Sequence, residues 1–269
     1  MCDRVDMKKY LFIMKIRIQT VLSYRFDVIL TILGQCVTMF AICYFWLVIY
    51  GDRETVLEVS GKSMLTYTTI SILIGNLFTM NVQQRIVDSI RTGNVALDML
   101  KPMNIYLSYL AEDLGEAVVA FCQKVLPLLL ISSLMFGLPR AASFIHFLLF
   151  IVSFVFAYFI NWLLAALLGL LAFKTMSMGP MMAVKTYIIK LLSGRMIPLW
   201  FFPNILQKIL GLLPFVNIYQ VPLGIYIGKY SIESAFSYLL IQLFWDLALL
   251  AAFVVLERKM AEQVLVQGG

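Results

Sequence analysis

The sequence predicts an all-α polytopic membrane protein with six transmembrane helices, an amphipathic lead-in helix and re-entrant external helices before the last span. Three observations predict it. Hydrophobic residues make up 62% of the 269 and charged residues only 13%, about half the charged share usual in a soluble domain. Such a chain cannot coat itself in polar surface unless lipid replaces water around much of it. The apolar runs are also long: between Val28 and Glu54 the only charges are Asp52 and Arg53, and between Ala141 and Phe173 there is none. Finally, the runs are continuous rather than alternating with period two. That favours helices of ~20 residues, which satisfy their own backbone in hydrocarbon, over a β-barrel.

Residues 1–25 come first. Met7, Leu11, Met14, Ile18, Val21 and Leu22 fall on one helical stripe, with Lys8, Lys15 and Gln19 elsewhere, the pattern of a helix lying on a membrane surface. It does not read as a cleavable signal, because the apolar run after it is too long and lacks a small-x-small exit. Crossings are expected at 27–50, 63–82, 108–136, 144–173, 176–194 and 232–256. Lys185 and Lys190 interrupt the fifth, and the charge-free stretch of the fourth exceeds a ~30 Å hydrocarbon core, so it must tilt or protrude. With both termini cytoplasmic, the inner segments hold Arg4, Lys8, Lys9, Lys15, Arg17, Arg25, Arg85, Arg91, Lys101, Lys174, Arg258 and Lys259. The outer segments hold Arg53, Lys62, Arg140, Arg195, Lys208 and Lys229. Twelve against six follows the positive-inside rule, and it accounts for the +6 net charge without nucleic acid.

Two connecting segments are more than links. In 83–104, Val82, Ile86 and Ile90 share a helical face while Arg85, Asp88 and Arg91 project to others. Gly93-Asn94 supplies a stop, Leu97 and Leu100 begin a second stripe, and Pro102 ends it. An amphipathic helix–turn–helix at a membrane face either rests on lipid headgroups or docks a soluble partner, and spacing alone leaves both open. The second segment, 195–230, carries Pro198, Pro203, Pro214 and Pro222, with Pro180 upstream, yet stays strongly apolar. Proline at that density breaks any long helix, so short helices dipping back into the outer leaflet are expected, either as packing or as an external gate. Trp200, Phe201, Phe202, Tyr219, Tyr226 and Tyr230 suit an aromatic interface belt there.

No residue cluster points to catalysis or to a metal. The cysteines (Cys2, Cys36, Cys43, Cys122) form no C-x-x-C pair. Glu112, Asp113 and Glu116 have no His or Cys beside them and read as a solvated helix start; His146, the only histidine, reads as a boundary residue. Charges inside spans are expensive, which singles out Asp246 and Lys185, placed at similar depth on antiparallel spans and expected to pair. Lys124, Lys190, Asn76 and Asn161 are expected to make helix–helix contacts.

Taken together, the lead-in helix, the stretch Ile90, Arg91, Thr92, Gly93, Leu100, Lys101, Pro102, and the run SGRMIP…FP…LLPF…VPLGIYIGK resemble the membrane subunit of an ABC-2-type transporter. Nearly the whole chain takes part in the resemblance. It implies a bacterial plasma-membrane exporter that works as a dimer, with an identical or sibling permease, and is driven by a separate cytoplasmic ATPase. It further implies that ATP and Mg bind on that partner, this chain having no G-x-x-x-x-G-K-[ST]. Segment 83–104 would be the ATPase-coupling region, with Arg85, Asp88, Arg91, Thr92, Gly93, Leu97 and Lys101 as its working residues. Pro198, Trp200, Pro203, Pro214 and Pro222 would shape an external gate. A secondary transporter or channel is the rival reading. The chain shows no repeated half-sequence and no pair of glycine-broken spans in corresponding positions to favour it.

Overall fold

The computed structural model describes residues 7–23, 25–94, 97, 103–171 and 179–267, with side chains throughout except at 25–27, 179–183, 185 and 261–267. Its long helices begin where short polar side chains can accept the orphan N–H groups of a first turn. Helix α1 is Met7–Leu22 and α2 is Arg25–Tyr50. A tight hairpin of Thr55–Val56 and Val59–Ser60 then turns through Leu57 and Glu58, both at positive φ. Ser60 Oγ accepts from Ser63 N–H (3.1 Å) to start α3, Gly61–Leu77. After a four-residue break, α4 spans Val82–Arg91. Asn104 Oδ1 accepts from Tyr106 and Leu107 N–H (2.9 and 3.1 Å) to open α5, Ile105–Ala120.

A wide π-helical turn at Phe121–Val125 joins α5 to α6, Leu126–Phe136. Pro127, just inside α6, has no N–H for the preceding turn, and its ring crowds the carbonyl four residues back. Ser143 Oγ accepts from His146 N–H to start α7, Phe144–Leu170. The chain continues as α8 (Gly179–Leu192), a 3-10 turn (Leu199–Phe201), α9 (Asn204–Gly211), a second 3-10 turn (Pro214–Asn217), α10 (Gln220–Tyr226) and α11 (Ile232–Gln267).

Five segments are long and apolar enough to cross a membrane: Val28–Tyr50, Gly61–Arg91, Ile105–Phe136, Phe144–Leu170 and Ile232–Met260. A sixth candidate is the pair Asn204–Gly211 and Pro214–Tyr226, bent by 81°. Of the expected crossing at 176–194, residues 179–194 are described. Helix α8 has 14 residues, about 21 Å at ~1.5 Å per residue, too short for a ~30 Å core. It stops because Gly194 takes φ +79 and its carbonyl accepts from Tyr67 Oη–H at 2.7 Å. Residues 194–226 then pack beside α3, where Tyr67 and Ser71 donate to the Gly194 and Arg195 carbonyls.

Helix α3 is the most enclosed segment of the bundle, 67% buried over its hydrophobic window against 11% for α2. Around the break after α3, Phe78 meets Phe154, Tyr158 and Tyr219 at ring-centroid distances of 5.4, 6.0 and 5.4 Å. Asn161 Nδ2 donates to the Phe78 carbonyl (3.4 Å), an acceptor that the helix break would leave unpaired. Tyr219 and Tyr226 are therefore core residues, 1% and 7% exposed, rather than members of an interface belt. Helix α1 is likewise two-faced: Met14, Ile18 and Val21 are half-buried, while Met7, Leu11 and Leu22 of the expected single stripe are exposed.

Where α4 crosses the end of α7, Gly169 permits the approach: a Cβ there would lie 3.1 Å from the Ile86 side chain and 3.2 Å from the Gln83 Cα. Replacing Gly169 with Val is expected to cost about 1–3 kcal/mol through overpacking. In a fluorescence-detected melt of the detergent-purified chain this reads as a fall in Tm of several degrees, and an unchanged Tm would rule out this close crossing.

Candidate functional site

A dense polar constellation sits where α4 meets α5, α7 and α1, and it is built around Asp113, which sequence reading grouped with Glu112 and Glu116 as a solvated helix start. Asp113 of α5 is fully buried. Its Oδ1 accepts from Asn81 N–H (3.1 Å) and Arg85 Nη1 (2.7 Å). Its Oδ2 accepts from Val82 N–H (3.2 Å) and Trp162 Nε1 (3.0 Å). Two of those donors are orphan amides at the start of α4, so Asp113 caps a neighbouring helix and sits on the positive end of its dipole. Asn81, in the N-cap position, makes no side-chain cap of its own; its Nδ2 donates to Glu116 instead. A buried carboxylate with four donors meets the condition under which such a group is tolerated.

Arg85 of α4 closes the cluster. Its guanidinium binds Asp113, Glu116 (2.7 Å) and Glu112 (3.1 Å), and donates to the Tyr109 carbonyl (3.3 Å). Arg17 of α1 donates to the same Glu116 oxygen at 2.7 Å. The Tyr10 hydroxyl accepts from Asn104 N–H (3.2 Å) nearby. Glu112, Asp113 and Glu116 are thus corrected from a solvated helix start to the inner face of a clamp. The signal available in sequence was weak: three acids within five residues, with Lys101 and Lys124 nearer along the chain than their partner Arg85.

The outer surface of α4 is different. Asp88, Arg91, Thr92 and Gly93 are exposed, as is Leu97 (62%) beyond them. Gln84 Nε2 donates to Asp88 (2.8 Å), Thr92 Oγ1 donates to the Asp88 carbonyl (2.8 Å), and Gly93 ends the helix at φ +72. Of the residues expected to work together, Arg85 is therefore turned inward, five cluster at an exposed tip, and Lys101 lies outside the described residues.

At the other end of the bundle the re-entrant region is organised by Gln220, 2% exposed. Its Oε1 accepts from Tyr67 Oη (3.0 Å) and Leu199 N–H (3.0 Å), its N–H donates to the Ser193 carbonyl (2.9 Å), and its Nε2 donates to Tyr230 Oη (3.3 Å). Gln242 of α11, fully buried, donates to the Asn217 and Ser153 carbonyls and accepts from Ser153 Oγ. His146 Nε2 meets the Tyr230 carbonyl (3.2 Å), and Tyr226 Oη donates to the Pro139 carbonyl (2.8 Å). Pro198, Pro214 and Pro222 are buried in this region, Trp200 packs on Tyr67 (5.4 Å), and Pro203 is exposed. Sequence reading missed both glutamines, since an uncharged amide in an apolar run leaves little mark.

Arg195 is also relocated. Its carbonyl accepts from Ser71 Oγ (2.8 Å), and its guanidinium lies against Gly75 and 5.4 Å from the Tyr219 ring. Gly75 is fourteen residues beyond Gly61, about 21 Å along α3, so Arg195 belongs inside the bundle and leaves the outer charge count. Among the remaining intramembrane polar residues, Asn76 donates to the Ile72 carbonyl (2.9 Å), and Lys190 sits 5.7 Å from the Tyr187 ring. Lys124 lies half-buried in the π-helical turn. Asp246 Oδ1 is buried with no hydrogen-bond partner among the described residues, and the Lys185 side chain expected to pair with it lies outside them.

Several apolar crossings, a proline-broken re-entrant segment and an amphipathic helix clamped at one end of the bundle define a multi-pass membrane protein of the transporter class. The chain belongs to the ABC-2 transporter family: the sequence profile described as "ABC-2 family transporter protein" matches residues 36–266. That match covers α4, the clamp residues of α4 and α5 and the re-entrant region, and begins within α2, after α1 and its Arg17. No curated protein matches the chain.

Asp113→Ala leaves Arg85 buried without its central partner and uncaps α4, and is expected to destabilise the chain by about 3–5 kcal/mol. Asp113→Ala and Arg85→Ala combined should cost much less than the sum of the single changes, as measured by chemical denaturation in mild detergent. Additive effects would mean the two side chains do not interact.

Proposed function

We propose that this chain is the membrane subunit of an ATP-driven exporter in a bacterial plasma membrane, paired with a second permease and driven by a separate cytoplasmic ATPase. The observation that carries the reading is the division of α4 into two surfaces. Its inner side is held to α5 and α1 by the Arg85 clamp and to α7 by Ile86 on Gly169. Its tip exposes Asp88, Arg91, Thr92 and Gly93. A helix that must receive force from a soluble partner needs both surfaces: a rigid attachment so that displacement is transmitted, and an open polar end to be grasped. A helix that only rested on headgroups would need neither the fourfold-satisfied Asp113 nor the cap it provides.

The nucleotide chemistry, with ATP and Mg, is assigned to the partner, and this subunit is not itself an enzyme. Both termini are placed in the cytoplasm; moving Arg195 into the bundle leaves twelve inner cations against five outer. The exposed apolar side of α2, with Leu30 70%, Val37 69% and Val48 79% exposed, faces lipid or the second permease. The re-entrant region serves as the outer closure of the path.

Charge reversal at the tip tests the assignment without touching the clamp. Asp88→Lys with Arg91→Glu is expected to leave Tm within about 2 °C of wild type, as exposed substitutions usually do, while abolishing copurification with the ATPase encoded beside the permease. Undiminished copurification, or retention of the ATPase after deletion of 84–100, would refute α4 as the coupling element. ATPase-independent transport in reconstituted vesicles would favour the secondary-transporter reading instead.

A further inference from the structure

Asp246 lies fourteen residues beyond Ile232 on α11, about 21 Å along that helix, and therefore deep in the hydrocarbon. Its Oδ1 is buried and no described residue donates to it. The carboxylate lines a cavity of about 450 Å³ between α5, α7 and α11, within the ~300–1,000 Å³ range of small-molecule pockets. The walls are aromatic: Phe156, Phe159 and Trp162 from α7, Tyr106 from α5 and Phe253 from α11. A second carboxylate, Glu257, lines the same cavity eleven residues further along α11, about 16 Å away. No Lys or Arg is among the described lining residues.

These features select one chemistry. An ionised carboxylate at membrane depth is costly unless an opposite charge accompanies it. Apolar and aromatic walls take up hydrocarbon, and aromatic faces attract cations. The lining residues Leu243, Leu247 and Leu250 are 40%, 59% and 47% exposed on the outside of the bundle, so the cavity opens sideways toward lipid. Glu257 sits toward the end of α11 that lies near the α4 clamp, to which Trp162 also donates.

We propose that this slot is a binding site for hydrophobic cations that reach it from the surrounding lipid, with Asp246 as the counter-charge beside the opening and Glu257 as a second, supporting charge further along the slot. The site is carried by this chain alone and does not depend on the ATPase reading.

Tetraphenylphosphonium and tetraphenylborate are near-isosteric ions of opposite charge, which makes the test direct. With the full chain purified in uncharged detergent, equilibrium dialysis is expected to show saturable binding of tetraphenylphosphonium and none of tetraphenylborate. Asp246→Asn, which keeps the side chain's shape, should weaken binding by about tenfold or more, the effect of losing a close charge in a low-dielectric site. Glu257→Gln should weaken it by a smaller factor. Should the Asn variant fail to purify as a single species, Leu247→Trp fills the slot while leaving Asp246 in place and is expected to abolish binding. Equal binding of the two ions, or full-affinity binding to either the Asp246→Asn or the Leu247→Trp protein, overturns the proposal.

Discussion

The contact on which the rest of the structure depends is that between Asp113 and the first turn of α4. Inside a membrane bundle a helix cannot simply begin: its first amides have no intrahelical acceptors and no water to turn to. The break after α3 creates that problem at Asn81 and Val82, and Asp113 resolves it from a different helix. A bare carboxylate could not be buried there, so Arg85 returns from α4 one turn later to neutralise it, and Glu112 and Glu116 engage the same guanidinium. Arg17 then joins the shared Glu116, which draws α1 onto α5. Each member of the cluster is made tolerable by the next, and a lead-in helix, a span and an amphipathic helix become one rigid body.

The opposite end of the bundle follows the same rule with neutral groups. Prolines fragment residues 198–226 into four short helical pieces, and every fragment end exposes backbone groups that hydrocarbon cannot satisfy. Gln220 and Gln242 supply the missing partners, because an amide offers both donors and acceptors at one point. Gly194 is required at the pivot. Its φ of +79 suits glycine, and a Cβ would lie 2.5 Å from Gln220 Oε1 and 3.0 Å from Tyr67 Oη. Charged anchors would carry a larger desolvation cost at this depth, which gives a physical reason for amides here and a salt-bridge cluster at the α4 end.

These two solutions explain what could be read from sequence. The long apolar helices were legible because lipid imposes length and composition together: the expected 27–50, 108–136 and 144–173 spans coincide within a few residues with α2, α5 through α6, and α7. The stop at Gly93 and the proline-broken character of 195–230 were also legible, since they rest on local backbone chemistry. The end expected for the fifth crossing at 194 falls at the Gly194 stop, but the contacts that hold that stop, from Tyr67 and Gln220, involve residues more than 25 positions away and were not legible. Asp113 and Arg195 were misplaced for the same reason. A charge near a span boundary looks solvated in one dimension, and only the fold shows that Asp113 is enclosed by α4 and α7 and that Arg195 turns inward onto Gly75.

Helix α3 connects the two ends, and on the proposed reading this makes it the transmitting element. Its far end passes through Phe78, locked among Phe154, Tyr158 and Tyr219, into the clamped α4. Its near half holds the re-entrant region through Tyr67 on Gly194 and Ser71 on Arg195. Tyr219 belongs to both ends at once, stacking on Phe78 while its ring faces the Arg195 guanidinium. A close-packed interior does not deform smoothly but shifts between discrete packings. A push on the α4 tip therefore cannot be absorbed at the clamp, where the side chains are fully engaged. It must appear either at the break 78–81, whose last residue Asn81 is itself held by Asp113 and Glu116, or as a displacement of α3 against the Gly194 pivot. The break is restrained by three rings and by Asn161, whereas the pivot is a single glycine with short helices beyond it. The compliant point of this chain is thus at the outer closure, at the opposite end from where force would enter.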